Sequence, residues 1–142
     1  MDRKQERIII VLTLYAMDVG GNPADETLNF ILDNFGEDKP TGYISESIEG
    51  VINSRADIDD IIAQNLKNYK IDRLSYLDLA IIRFATYELT LNKIPHQIVI
   101  NEALEITKIY SDLGDKKATA FNNQLLDNIK TSLHKNRGAD DE

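Results

Sequence analysis

The 142-residue chain contains no cysteine, no tryptophan and only three prolines. Without cysteine there is no disulfide framework, no thiolate metal site and no cysteine nucleophile. Long hydrophobic runs are also missing. The stretch from Ile8 to Leu12 ends at Thr13, far short of the ~20 apolar residues of a membrane span. The mixed-charge start before it lacks the pattern of a cleaved secretory signal. A secreted disulfide scaffold, a membrane protein and a disordered tail are therefore excluded, and a cytoplasmic protein is expected. What is present is enough apolar residue, 42%, to fill the core of one domain of ordinary size.

Charge is unevenly placed. The formal net charge is −8, yet residues 18–60 alone sum to −9, with eleven acidic and two basic residues. Residues 1–17 sum to +1 and residues 61–142 balance. A globally acidic protein is a poor non-specific binder of polyanions, because such affinity is built from many phosphate contacts. A local basic face remains compatible with RNA: Arg3, Lys4 and Arg7 stand three or four apart and can share one helix face. The stretch Lys108 to Arg137, with six basic and three acidic residues, can add to it.

Apolar residues recur at helical spacing almost throughout, with no sustained strand alternation. A first helix is expected from Arg3 to Asp18, stopped by Gly20-Gly21-Asn22-Pro23. A second begins at Pro23 and carries Leu28, Ile31, Leu32 and Phe35, and a break follows from Gly36 to Gly42. A third carries Tyr43 to Ile52, and a fourth runs from Ile58 to Tyr69 behind the acidic start Asp57-Asp59-Asp60. Ser75 and Asp78 form a capping box ahead of a run, Leu79 to Ala85, that is apolar on nearly every side. This fifth helix should be the buried central one. A sixth follows Pro95, and a seventh places Phe121, Leu125, Ile129 and Leu133 on one stripe. The expected fold is all-α, a single compact domain of about seven helices over residues 1–142, with a frayed acidic tail at 138–142.

Chemistry-bearing motifs are scarce. No glycine-rich phosphate cradle exists, since Gly20-Gly21 has no lysine after it. His96 and His134 stand alone, and His96 reads as a first-turn surface residue. Pairs such as Asp59-Asp60 read as helix-start charges, and Glu102 and Glu105 lack the histidine of a ferritin-like motif. No enzyme, metal or cofactor signal emerges.

One segment is specific. Asp72 to Asn101 reads DRLSYLDLAIIRFATYELTLNKIPHQIVIN and is followed by EALEITK. It resembles the NusB family of transcription antitermination factors, in which DRLS, D-A-I-L-R-x-A-x-Y-E-L, I-P and I-N-E-A-x-E-x-A-K follow in this order. Leu14-Tyr15 after a basic start resembles that family's A-L-Y, and Phe121 to Asp127 stands where F-V-N-G-V-L-D is usual. The resemblance implies a seven-helix NusB fold. It also implies binding of boxA-type single-stranded nascent RNA together with the ribosomal protein NusE, inside an RNA polymerase antitermination complex that reads through termination signals in ribosomal RNA operons.

On this resemblance the RNA surface comprises Arg3, Lys4, Arg7, Tyr15, Lys116, Lys117, Phe121 and Asn123. The partner side lies around Asp78, with Arg83 and Glu88. For Tyr15 and Phe121 the alternatives are base stacking or core packing, and for Asn123 a base or the helix backbone. Arg83 is read as a buried ion pair with Asp78 or Glu88. Replacing Arg3, Lys4 and Arg7 by Glu is expected to abolish RNA binding and leave the fold intact. Gln5, Glu6, Ala120, Asn122 and Gln124 depart from the family pattern and should each weaken the RNA face. The depleted face keeps a second reading open, a helical protein-interaction module, including a homodimer. An RNA-methyltransferase is a third, which the absence of a cofactor-binding domain in 142 residues speaks against.

Overall fold

The computed structural model describes the backbone of residues 1–140 and the side chains of residues 1–137. Seven α-helices and no strand occur among the described residues. Helix α1 (Arg3–Gly20) starts where the Asp2 carboxylate accepts from the Gln5 N–H at 2.8 Å, satisfying a donor that the first turn leaves unpaired. It stops at Gly21, whose φ of 67° closes the helix in the left-handed region. Helix α2 (Ala24–Asn34) follows Pro23. Helix α3 (Gly42–Asn53) is capped by the Thr41 hydroxyl, which accepts from the Ile44 N–H. Only Ser54 separates it from α4 (Arg55–Gln64).

Helix α5 (Tyr76–Leu91) begins as the capping pair predicts, with the Ser75 hydroxyl accepting from the Asp78 N–H at 3.1 Å and donating to the Asp78 carboxylate at 2.9 Å. It ends at Asn92, φ 55°. Helices α6 (His96–Tyr110) and α7 (Lys117–Asp140) complete the chain. Helix α7 is described as far as Asp140; of the tail expected to fray at 138–142, residues 141–142 lie outside the described residues.

Helix α5 is the centre of the bundle. It packs against α1, α3, α4, α6 and α7, whereas α2 leans on α1. Leu79 through Thr86 are all buried, with Ala80, Ile82 and Leu89 wholly shielded. At roughly 25 cal/mol per Å² of apolar surface removed from water, this surround is the main source of the fold's stability.

Two expectations are corrected. The fourth helix ends at Gln64 rather than Tyr69. The Asn65 side chain donates to the Ile61 carbonyl, Asn68 turns left-handed at φ 57°, and a single 3-10 turn follows at Ile71–Arg73. Two asparagines that compete with the helix ladder thus outweigh the apolar spacing. Arg83 is indeed a buried ion pair, but its partners are Asp59 and Asp18. Its Nε and Nη2 donate to the two Asp59 oxygens at 2.8 and 2.9 Å, and its Nη1 donates to Asp18 at 2.9 Å. Asp78 and Glu88 each lie five positions away on the same helix, on a different face, where only three- and four-residue neighbours meet. The pairing ties α1 and α4 to α5.

Candidate nucleic-acid interface

The three basic residues at the start of α1 have different fates. Arg7 is turned inward and buried, its Nε donating to the Glu88 carboxylate at 3.3 Å. Glu88 also accepts from the Tyr43 hydroxyl at 2.8 Å. Burial, then the Glu88 charge, pushes the Tyr43 phenol well above its ordinary pKa, so it stays a donor. Arg3 lies over the Tyr43 ring, 3.8 Å from its centroid, and reaches Glu6 at 3.5 Å. Glu6 is itself buried and accepts from the Thr41 hydroxyl. Lys4 alone is exposed and without an ion pair among the described residues. The expected three-residue basic face is thus corrected to one free lysine beside a partly occupied arginine. Spacing put Arg7 on the helix, and the Glu88 carboxylate on α5 drew it into the core.

A second basic cluster stands at the start of α7. Lys116, at φ 63°, and Lys117 are exposed. Cations are poorly placed at a helix N-terminus, whose partial charge is positive. The Asp112 carboxylate offsets them: one oxygen accepts from the Gly114 and Lys116 N–H groups, and the other from the Thr119 N–H and hydroxyl. These bonds, that from the Thr119 hydroxyl first, hold the Asp112 pKa below its usual value.

One turn on, Phe121 is 38% exposed, so it is a surface aromatic and not core. Its ring lies 5.5 Å, centroid to centroid, from that of Tyr69, which is 40% exposed. Asn123 is exposed, and its side chain forms no hydrogen bond among the described residues. Tyr15 is half-buried and packs against the core. The two clusters are separated. The first turns of α1 anchor to α5 at Glu88 and those of α7 anchor at Asp78, ten positions apart, or about 15 Å at 1.5 Å per residue.

None of the residues expected on the partner side presents a free charge. Glu88 is held by Arg7 and Tyr43, and Arg83 by Asp18 and Asp59. Asp78 accepts from Ser111 at 2.6 Å and from the Asn122 amide at 3.1 Å. Asn122 is wholly buried and donates also to Thr107 at 3.2 Å, leaving its own carbonyl oxygen without a partner. This residue therefore forms an internal contact between α5, α6 and α7 and is not part of the outer surface of α7. Gln124, in contrast, is exposed beside Tyr69 and Phe121. By spacing Tyr69 reads as part of the fourth helix, which conceals it as a surface aromatic; the cations Lys67, Lys70 and Arg73 around it are the signal available.

Among the described residues no cluster of three or more His, Asp or Glu is placed to hold a metal. None of the described helices is long and apolar enough to cross a membrane.

Comparison with known proteins places this geometry. The sequence pattern of the NusB family matches residues 4–131. The transcription antitermination protein NusB of Clostridium botulinum (strain Alaska E43 / Type E3) is 42% identical over 133 residues, spanning 91% of this chain and 98% of that one. Its counterpart from Listeria monocytogenes serotype 4a is 36% identical, over 91% and 96%. Among solved structures, the antitermination factors NusB and NusE in complex with dsRNA give a TM-score of 0.81 at 26% identity, covering 92% of this chain and 96% of that one. The T. maritima NusB gives 0.77 at 30% identity, covering 92% of each. With residues 4–131 matched, the chain belongs to the NusB family.

Proposed function

We propose that this chain is a cytoplasmic, non-catalytic transcription antitermination factor. It holds a boxA-type segment of nascent RNA jointly with the ribosomal protein NusE, and the complex helps RNA polymerase read through termination signals in ribosomal RNA operons. The observation that carries the reading is the structural match to a NusB–NusE complex with dsRNA in a chain whose residues 4–131 match the family. The exposed Lys116, Lys117, Phe121 and Asn123 supply phosphate contacts and an aromatic face, the two elements that RNA recognition combines. Lys4, with Arg3 behind it, forms a second, weaker contact, and Tyr15 acts from its half-buried position as support.

The inward turn of Arg7 and the engagement of Arg3 with Tyr43 favour a second reading, a protein-interaction module of reduced RNA affinity. Titration of a boxA-type single strand at two salt concentrations separates the two, run with and without NusE and against a scrambled strand. Selective binding that tightens with NusE is the expected result. A formed protein complex without RNA selectivity would transfer the function to the interaction module.

A further inference from the structure

Helices α2 and α3 both lie on α1 and barely touch each other. Between them a groove of about 240 Å³ stays open, with Ala24, Asp25 and Leu28 on one wall and Ile48, Glu49 and Ile52 on the other. Leu28 and Ile48 are buried and form its floor, while Ile52 is left 40% exposed at its edge. At about 100° per residue, Ile48, Glu49 and Ile52 share one stripe of α3. Gly50, where α3 backs onto Tyr87 of α5, is turned about 150° from that stripe. The groove therefore opens away from α5 and from Asp78, Arg83 and Glu88 on it.

The two helices that form the groove differ from the rest in charge. Among the described helices they are the only two without a Lys, Arg or His. They carry five carboxylates, Asp25, Glu26, Asp33, Glu46 and Glu49, all exposed and none in an ion pair among the described residues. A solvated surface mixes charges of both signs, and a face of one sign steers partners of the other.

The combination narrows the occupant. The volume lies below the ~300–1,000 Å³ of small-molecule sites, so the groove suits side chains brought in on a larger partner. A nucleic acid or an anionic lipid surface is repelled by the five carboxylates. A two-fold pairing of two copies sets the same patch against itself, carboxylates facing carboxylates. An apolar floor between two helices matches the apolar stripe of a third, and the acidic rim matches cations beside that stripe. We propose that the α2–α3 groove docks a Lys- and Arg-rich amphipathic helix of a second protein. Its apolar side chains, three and four positions apart, seat over Leu28, Ile48 and Ile52, and its cations meet Asp25 and Glu49. The site is independent of the RNA reading and of the partner side around Asp78.

The test uses the full chain and a fluorescein-labelled peptide of about 18 residues, long enough for a helix, with Leu along one face and Lys and Arg along the other. Fluorescence anisotropy reads binding at ~150 mM salt, where screening reaches about 8 Å. Ile52→Asp adds a carboxylate but removes apolar wall, so it should weaken binding by about 10- to 100-fold, the worth of burying an aliphatic side chain. The reversal Asp25→Lys/Glu49→Lys should weaken it about tenfold or more, since attraction at the rim becomes repulsion. The matched reversal Glu26→Lys/Asp33→Lys, turned about 130–150° from the groove by the helix period, should change it less than about threefold. Circular dichroism establishes that each variant is folded; if Ile52→Asp is not, the two reversals decide. Equal losses for the two reversals, or parent-like binding by Ile52→Asp, would reduce the site to attraction between opposite charges and overturn the groove. No peptide binding by the parent would overturn it outright. Displacement of the peptide by NusE would make the groove part of the NusE side and overturn a separate partner. Self-association of the chain that Ile52→Asp abolishes, read by sedimentation, would give the face to a second copy instead.

Discussion

Replacing Arg7 should destabilise the fold and leave RNA contacts untouched. Its guanidinium and the Glu88 carboxylate are both less than one-tenth exposed, at 3.3 Å, with Tyr43 as the second donor to Glu88. In Arg7→Ala the carboxylate keeps one neutral hydrogen bond and no counter-charge in a site closed to water. Breaking a buried pair in this way costs about 3–5 kcal/mol, a large share of the roughly 5–15 kcal/mol that holds such a domain. At about 3–4 °C per kcal/mol for a chain of this length, the melting midpoint should fall by roughly 10–20 °C. Arg7→Glu, with two buried carboxylates facing each other, should not fold, which corrects the expectation that a triple charge reversal at Arg3, Lys4 and Arg7 leaves the fold intact. Removing the whole polar set in Arg7→Met/Glu88→Leu/Tyr43→Phe should recover most of the loss, since no uncompensated charge remains. Thermal melts followed by far-ultraviolet circular dichroism read all three, with Lys4→Ala as a surface control that melts like the parent. An Arg7→Ala variant that melts within 2 °C of the parent but binds RNA tenfold more weakly would refute the reasoning, because Arg7 would then act at the surface.

Other consequences follow from the packing and the charges. Phe84, 3% exposed on α5, should cost about 3–5 kcal/mol when cut to Ala, read as a shift in urea midpoint at constant slope. A Cβ at Gly50 would lie 2.1 Å from the Tyr87 hydroxyl oxygen, so Gly50→Ala should lose about 1–3 kcal/mol and regain much of it in combination with Tyr87→Ala; no recovery would remove Tyr87 as the cause. Because the Asp112 pKa is depressed, its stabilisation of the α6–α7 loop is complete above the ordinary value of 3.8 and is lost as pH falls through the lower, folded value. Amide-exchange protection of Lys116 and Thr119 should accordingly persist down to that pH and fade only below it, a dependence that Asp112→Asn should abolish.

What the sequence revealed and what it hid divide along the range of the interactions. Helix α5 was legible because its cap, Ser75 to Asp78, and its all-round apolar run are local, and the run leaves burial as the only outcome. Phe121 and Tyr15 could not be separated by pattern, since both lie on apolar stripes; the fold leaves one at the surface and the other half-buried. The partners of Arg83 come from 24 and 65 positions away and those of Arg7 from 81. No periodicity reports such distances. Charge is misleading for Arg7, which reads as surface and lies buried, and family position is misleading for Asn122, which reads as a lost surface contact and lies within the core. The pairing of Tyr69 with Phe121 is hidden for another reason. By spacing Tyr69 belongs to a helix that Asn65 and Asn68 terminate, and that termination leaves its ring beside Phe121.

Part of the acidity of the chain, which argues against a polyanion ligand when taken as a total, lies on α2, away from the start of α7. Asp18 and Asp59 are both paired with the buried Arg83 and with Arg55 at the surface. Asp25, Glu26 and Asp33 lie exposed on α2, which packs on α1, while α7 packs on α4, α5 and α6. Two helices, α1 and α5, intervene between α2 and α7, and three interaxial spacings of 8–10 Å span up to about 25–30 Å. Screening at physiological salt reaches about 8 Å, and at 0.01 M about 30 Å. The α2 carboxylates are therefore invisible to RNA at the start of α7 under cellular ionic strength and repel it at low salt. Neutralising Asp25, Glu26 and Asp33 as amides should raise the RNA association rate at ~10 mM salt and leave it unchanged at ~150 mM. Stopped-flow fluorescence measures both. An equal increase at the two salts would bring the RNA path against α2 and away from the start of α7.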